Sequence, residues 1–218
     1  MRKVRILVAD DHDVVREGLK TLLAARPDFE VCGEAATGRE AVALALQLKP
    51  HLVVLDFSMP ELNGLEATRQ IREALPNTEV LILTMHDSET LARGVLAAGA
   101  RGFVLKTHAK LELLAAVDAL VQHRPYFAGA VSPHALDQFL NRDQHPPQPS
   151  APADRLTPRE REVVQLIAEG LTSKDIARRL GISVKTADAH RANIMRKLDV
   201  HSVSEVVLYA VRNLIVLP

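Results

Sequence analysis

The chain has 218 residues, of which 47% are apolar and 25% charged, and its formal net charge is zero. These values describe an ordinary globular protein of one large or two modest domains. There is no Trp and aromatic residues make up 3% of the chain, which argues against a binding surface built on stacked aromatics.

The averages conceal a charge gradient along the chain. Residues 1–122 carry 14 Lys and Arg against 17 Asp and Glu, whereas residues 154–218 carry 11 against 8. We therefore expect the two halves to have different partners. A single cysteine, Cys32, excludes an intramolecular disulfide and indicates a reducing compartment. Because no apolar run approaches the length of a membrane span, we expect a cytoplasmic protein with no membrane partner.

Two patterns alternate over the first 122 residues. Short β-branched apolar runs predict strands, and amphipathic stretches between them predict helices. The predicted strands are 4–9, 29–35, 52–55, 80–84 and 102–105, and the predicted helices are 14–25, 39–48, 64–74, 89–98 and 110–121. Five strand–helix repeats with apolar strands predict an α/β fold: a five-stranded, doubly wound parallel sheet covered by helices on both faces.

A proline-rich segment separates this region from the rest. Residues 123–153 hold six of the twelve prolines, four of them within 145–153. This composition predicts an extended, semi-stiff linker, with a short helix at about 132–140 before the proline-rich part.

Helix start and stop residues then recur at short intervals from residue 154 onward. Thr157 and Glu160 form a predicted capping box with Pro158 at the first helical position, and Gly170 ends that helix. Three further helices are predicted, from Thr172 to Gly181, from Ser183 to about Leu198 and from Val203 to about Arg212. Four short helices in about 60 residues predict a small all-α domain, and its tight central turn predicts a helix-turn-helix.

Polar residues stand at the ends of four predicted strands. Asp10 and Asp11 end the first strand, Asp56 the third, Thr84 the fourth and Lys106 the fifth. Because the carboxyl ends of parallel strands meet at one edge of the sheet, we expect these five side chains to converge. Close carboxylates repel one another, and Mg²⁺ with its preference for oxygen ligands would offset that repulsion.

Such a site is suited to phosphoryl transfer. A carboxylate can attack a phosphoryl group and form an aspartyl phosphate. Lys106 and the metal would neutralise charge on the transferred group, and the Thr84 hydroxyl would donate to a phosphoryl oxygen.

Residues 1–122 resemble the receiver domains of two-component response regulators. The resemblance rests on VADDH around Asp10 and Asp11, VVLDFSMPELNG around Asp56, LILTM, and GARGFVLK. It implies that Asp56 accepts a phosphoryl group from a sensor histidine kinase. It also implies that Asp11, Asp56 and the Ser58 backbone carbonyl bind Mg²⁺, with Asp10 assisting through water.

The same resemblance makes Thr84 and Phe103 a switch pair that moves on phosphorylation, although Phe103 also fits a plain core residue. One position departs from the family. The residue after the switch threonine is commonly small, but here it is Met85, which we expect to narrow access to the phosphoryl site.

The third helix of the last domain has two distinct faces. Ala187, His190, Ile194 and Leu198 share the side expected to pack on other helices, with Arg191 at its edge. Lys185, Asp188, Ala189, Ala192 and Arg196 share the opposite side. The small alanines on that side allow the close approach that a helix in the major groove of DNA requires.

Residues 156 to about 214 resemble the LuxR-type helix-turn-helix of NarL/FixJ response regulators. The resemblance rests on LTPREREVVQLIAEGLTSKDIARRLGISVKTADAHRANIMRKL. It implies binding to double-stranded DNA as a homodimer on two half-sites. The last helix offers a dimer surface, although its apolar residues also fit the domain core. The family usually has Val at position 187, and Ala187 predicts a slightly looser core.

The helix geometry divides the DNA-contact candidates into two groups. The candidates for contact with base edges are Lys185, Asp188, Ala189 and Ala192. The candidates for contact with phosphates are Lys174, Thr186, Arg191 and Asn193. A solvated surface acid is the alternative for Asp188, because a misplaced carboxylate repels the DNA backbone. His190 is expected to pack.

Two other functions fit parts of the pattern. A phosphatase with an aspartyl nucleophile would carry Asp-x-Asp after a strand, but Ser58 stands where the second acid belongs. A DNA-binding protein whose receiver no longer accepts phosphate would not need the complete acidic set. We therefore predict a phosphorylation-switched transcription regulator and not a turnover enzyme.

Overall fold

The computed structural model describes residues 3–127 and 156–217. They belong to two compact units that divide the chain between Asp143 and Gln144. Most of the predicted linker, 123–153, lies outside the described residues, including its proline-rich part and the short helix predicted at 132–140. None of the helices in the described ranges has the length and apolar character that crossing a membrane requires.

The first unit is a doubly wound parallel α/β sheet, as predicted. Its elements are β1 (Val4–Ala9), α1 (Asp13–Ala24), β2 (Phe29–Ala35), α2 (Gly38–Leu48), β3 (Leu52–Asp56), α3 (Gly64–Ala74), β4 (Glu79–Thr84), α4 (Glu89–Ala97), β5 (Gly102–Leu105), α5 (Ala109–Val121) and β6 (Tyr126–Phe127). The strand order is β2-β1-β3-β4-β5-β6, and every neighbouring pair is parallel. The central strands β3 and β4 are buried throughout, because helices cover both faces.

A sixth strand corrects the prediction of five. Strand β6 has two residues, lies inside the range assigned to the linker, and pairs with β5 so that Phe127 stands opposite Phe103. The two rings stack with centroids 6.5 Å apart and planes 4° from parallel. Two residues are too few to show an alternating pattern, so the sequence gives no period-2 signal here.

The start of α3 packs closely against the end of β3. A Cβ atom placed on Gly64 would lie 2.4 Å from the carbonyl oxygen of Asp56. The Gly64 N–H donates to the carbonyl of Phe57 at 2.9 Å. Only glycine permits this approach without a shift of the backbone, so Gly64 lets the start of α3 lie against the end of β3, where Asp56 stands.

The second unit contains four helices, again as predicted. They are α6 (Pro158–Ala168), α7 (Ser173–Leu180), α8 (Val184–Leu198) and α9 (Val203–Arg212). Hydroxyl caps begin all four: Thr157, Thr172, Ser183 and Ser202 each accept from the backbone N–H three residues on. Gly181, with φ of 64°, ends α7 in the left-handed conformation and makes the tight turn into α8.

Candidate functional site

The carboxyl edge of the sheet brings Asp10, Asp56 and Lys106 into contact. The Lys106 ammonium lies 2.7 Å from Asp10 Oδ2 and 3.0 Å from Asp56 Oδ1. The two acids are almost completely buried, and the Lys106 side chain is 11% exposed. One buried cation is thus shared between two buried carboxylates, as the positions at the strand ends predict.

Burial and neighbouring charges have opposite effects on the pKa values of Asp56 and Lys106. Burial raises the pKa of Asp56, and the neighbouring Lys106 charge offsets only part of that effect. Burial on its own would lower the pKa of Lys106, but the hydrogen bonds and charges of Asp10 and Asp56 together raise it. The lysine is therefore held in its charged form between the acids.

The loop after β1 is fixed by hydrogen bonds. The backbone N–H of His12 donates to Asp10 Oδ1 at 2.9 Å, and the Arg16 guanidinium donates to the Asp10 carbonyl at 2.7 Å. The Asp11 side chain is more open, 30% exposed, and lies 2.8 Å from the imidazole of His12. Asp10 is thereby anchored, while Asp11 remains accessible from solvent.

These acids fit a divalent cation. One ligand atom from each of Asp10, Asp11, His12 and Asp56 lies within 4.8 Å of the others. Carboxylate oxygens are the ligands that Mg²⁺ prefers, and receiver domains generally bind it through such acids. The backbone of Ser58, two residues after Asp56, hydrogen-bonds to the Asp56 carboxylate, and its carbonyl remains a predicted ligand.

His12 belongs to this cluster although it was not among the predicted site residues. It follows Asp11 directly in the motif VADDH, and that adjacency is the signal that marks it. Side-chain direction at a strand-to-helix junction is not readable from sequence, so the contact with Asp11 emerges only in the fold.

The two predicted switch residues lie at different levels of neighbouring strands, because Thr84 pairs with Leu105 and Phe103 pairs with Ile82. Thr84, almost completely buried, ends β4, and its hydroxyl accepts from the backbone N–H of His86 at 3.1 Å. Phe103 is fully buried beneath Phe127, which fits both a core residue and a ring held in one switch position. Met85 is 62% exposed, and its effect on access to the site remains a prediction.

Helix α8 presents the predicted face to solvent. The four base-edge candidates, Lys185, Asp188, Ala189 and Ala192, are all exposed. On the opposite side Ala187 and Ile194 are fully buried and His190 is half-buried. The helix therefore turns small and polar side chains outward along most of its length.

The four phosphate candidates differ in their surroundings. Lys174, Thr186 and Asn193 are exposed, whereas Arg191 is half-buried with its guanidinium 3.5 Å from the Leu171 carbonyl. The Thr186 hydroxyl lies 2.8 Å from that of Ser183. Asn193 accepts a hydrogen bond from the guanidinium of Arg196 at 2.9 Å.

The chain matches two protein families. Residues 6–118 match the response regulator receiver domain, and residues 154–210 match the bacterial regulatory proteins of the luxR family. The transcriptional regulatory protein LiaR of Bacillus subtilis is 38% identical over 210 residues, covering 96% of this chain and 98% of that protein. The oxygen regulatory protein NreC of Staphylococcus epidermidis is 40% identical over 212 residues, covering 96% and 97%.

Solved structures agree with these matches. The RcsB response regulator of Salmonella typhimurium aligns with a TM-score of 0.58 and 27% identity, covering 96% of this chain and 97% of that one. A structure of an RcsB–DNA complex aligns with a TM-score of 0.54 and 26% identity, covering 95% and 98%. With a receiver-type sheet and a LuxR-type helix-turn-helix in one polypeptide, the chain belongs to the NarL/LuxR family of response regulators, which are DNA-binding transcription regulators.

Proposed function

We propose that this response regulator accepts a phosphoryl group on Asp56 from a sensor histidine kinase, and that phosphorylation controls its binding to DNA. The observation that carries the proposal is the buried trio in which Lys106 contacts both Asp10 and Asp56. Two buried carboxylates and a shared ammonium at the carboxyl edge of a parallel sheet form a site for a small anionic group.

The proposed chemistry uses each of these groups. An Asp56 carboxylate oxygen attacks the phosphorus, the bond from phosphorus to the kinase imidazole breaks, and the imidazole leaves. Asp11, Asp56 and the Ser58 carbonyl, with Asp10 acting through water, would hold Mg²⁺, which would supply positive charge against the phosphoryl oxygens. Lys106 also faces that charge, and Thr84 donates its hydroxyl to a phosphoryl oxygen.

The proposed switch joins three parts of the chain. They are a receiver at 1–122 extended by β6 (Tyr126–Phe127), a linker that takes the rest of 123–153, and a DNA-binding domain at 154–218. Charge on Asp56 shifts Thr84 and Phe103, and with them the population of an active conformer.

Because the chain itself carries the phosphoryl group and loses it by hydrolysis, we place it outside the turnover enzymes. Because we propose that it binds DNA, we also propose that the protein acts in the cytoplasm.

We propose that the second unit binds double-stranded DNA as a homodimer, and the structure of two RcsB dimers bound to two DNAs supports this assembly. The exposed face of α8 enters the major groove with Lys185, Asp188, Ala189 and Ala192 at the base edges. The backbone phosphates are contacted by Lys174, Thr186, Arg191 and Asn193.

The test is a selection of bound DNA from random sequence, with and without a small-molecule phosphoryl donor. We expect the donor to enrich a two-half-site sequence and to raise affinity for it at least 10-fold. Asp56→Asn should abolish this response while leaving basal binding. A response that persists in Asp56→Asn contradicts the role of Asp56. Steady release of phosphate from a phosphomonoester would instead indicate a phosphatase.

A further inference from the structure

His12 stands beside the acidic cluster without serving the helix it precedes. It is the N-cap residue of α1, yet its side chain makes no cap hydrogen bond. The imidazole instead faces the acids, with Nδ1 2.8 Å from Asp11 Oδ1 and 3.5 Å from Asp10 Oδ1. The side chain is 68% exposed, so an ion that enters from solvent can reach it.

The four potential ligand atoms are spaced for a single ion. Those of Asp10, Asp11, His12 and Asp56 lie within 4.8 Å of one another, whereas opposite ligands around an octahedral cation are roughly 4.2 Å apart. Small adjustments therefore suffice to close them around one cation. The set differs from an all-oxygen site because it adds a ring nitrogen to three carboxylates.

We propose that His12 is a nitrogen ligand that lets the acidic site take a second class of cation, the divalent transition metals such as Ni²⁺, in addition to Mg²⁺. Imidazole is a good ligand for Ni²⁺ and Zn²⁺, whereas Mg²⁺ selects oxygen ligands and retains water. His12 therefore contributes to affinity for Ni²⁺ and not to affinity for Mg²⁺. The inference rests on the proposed function, since the same acids hold Mg²⁺ there.

The test is calorimetric titration of the intact, metal-free protein with Ni²⁺ and, separately, with Mg²⁺. His12→Asn keeps a favourable N-cap residue but removes the imidazole. We expect Ni²⁺ to bind this variant at least 10-fold more weakly and Mg²⁺ to bind within twofold of the unsubstituted chain. His108→Asn is the matched control, because His108 is also exposed and close in sequence to Lys106 but lies outside the ligand group.

A spectroscopic measurement tests ligation directly. The visible absorption of bound Co²⁺ should change in His12→Asn and remain unchanged in His108→Asn. In Asp11→Asn, the additional loss on removing His12 should shrink, because both groups hold the same ion. Equal Ni²⁺ affinity with and without His12, or an equal loss in His108→Asn, overturns the proposal.

The same materials separate this inference from the proposed function. Phosphorylation of Asp56 by a small-molecule donor in Mg²⁺ needs no imidazole ligand, so it tests the proposed function alone. If phosphorylation fails but Ni²⁺ binding still depends on His12 and Asp11, the ligand assignment stands. If phosphorylation succeeds and Ni²⁺ binding is independent of His12, only the ligand assignment is wrong.

Discussion

At the scale of single residues, the site depends on one lysine between two acids. Lys106 contacts Asp10 and Asp56 where all three side chains are largely removed from water. A buried charge that loses its partner is costly, because the protein interior solvates it poorly. Removal of the Lys106 charge would therefore leave two buried carboxylates without a cation beside them.

Lys106→Met should lower the free energy of unfolding of the first unit by ~3 kcal/mol in the presence of a chelator. Urea denaturation measures this through the fluorescence of Tyr126 in a Tyr209→Phe background, since the chain has two tyrosines and no Trp. Added Mg²⁺ should stabilise the variant more than the unsubstituted chain, because it restores a cation. The exposed Lys110→Met is the control, and an equal loss there contradicts the expectation.

Gly64→Ala should destabilise the first unit by about 1–3 kcal/mol and weaken Mg²⁺ binding, because the new methyl group meets the Asp56 carbonyl. Gly18→Ala is a matched control in the interior of α1, where an added Cβ has no neighbour within 4 Å. There the same change should stabilise by ~0.5–1 kcal/mol. Urea denaturation and Mg²⁺ titration of both variants measure these changes. Similar changes in stability and Mg²⁺ affinity at the two positions would contradict the role of Gly64.

At the scale of elements, an ion pair links the first and third helices of the second unit. Glu160 completes the capping box of α6 with Thr157, and its carboxylate also contacts the Lys197 ammonium of α8 at 2.7 Å. Burial would raise the pKa of Glu160, but the hydrogen bonds from Lys197 and Thr157 outweigh it and lower that pKa below its ordinary value of 4.5. The folded state therefore favours the ionised carboxylate.

A lowered pKa in the folded state gives stability that is present above pH 4.5 and is lost as the pH falls through the folded value. The free energy of unfolding of the second unit should thus decrease below about pH 5. Glu160→Gln retains a capping side chain without a titrating group, so its pH dependence should be shallower. Fluorescence of Tyr209 in a Tyr126→Phe background measures both, and parallel pH profiles would exclude Glu160 as the source.

Substitutions in α7 and α8 should distinguish residues that select the DNA sequence from residues that only add affinity. Asp188→Ala should relax preference at one position of the selected DNA site, because a carboxylate that accepts from cytosine discriminates by about 1–3 kcal/mol. Lys174→Ala should weaken binding to all sequences alike and reduce the salt dependence by about one phosphate contact. Binding to a library of single-base variants at several salt concentrations measures both effects. Uniform weakening in Asp188→Ala would make it a solvated surface acid.

Short-range sequence signals predicted most of the strands and helices. Strand-end acids and hydroxyl caps are short-range signals, so Asp56 at the end of β3 and Ser183 before α8 were predictable from their neighbours in sequence. The contact between His12 and Asp11 depends on side-chain direction in a loop, and β6 depends on a distant partner strand. Neither the contact nor the strand leaves a periodic pattern in the neighbouring sequence, so neither was predicted.

At the scale of the whole molecule, the described part of the first unit ends within its sheet. Phe127 is the last of these described residues, and its ring stacks on the predicted switch residue Phe103. Phe103 and Phe127 therefore hold the last strand of the sheet against the receiver core.

Phe127 offers a test of the coupling between a phosphoryl mimic bound at Asp56 and DNA bound by the second unit. If beryllofluoride at Asp56 raises affinity for DNA about 10-fold, DNA must raise affinity for beryllofluoride by the same factor, because coupling free energies are symmetric. Phe127→Ala should reduce both factors equally while leaving each ligand's affinity in the absence of the other unchanged. Tyr126→Phe on the same strand is the control. The stacked pair of Phe127 and the switch residue Phe103 would then determine how strongly binding at one site changes affinity at the other.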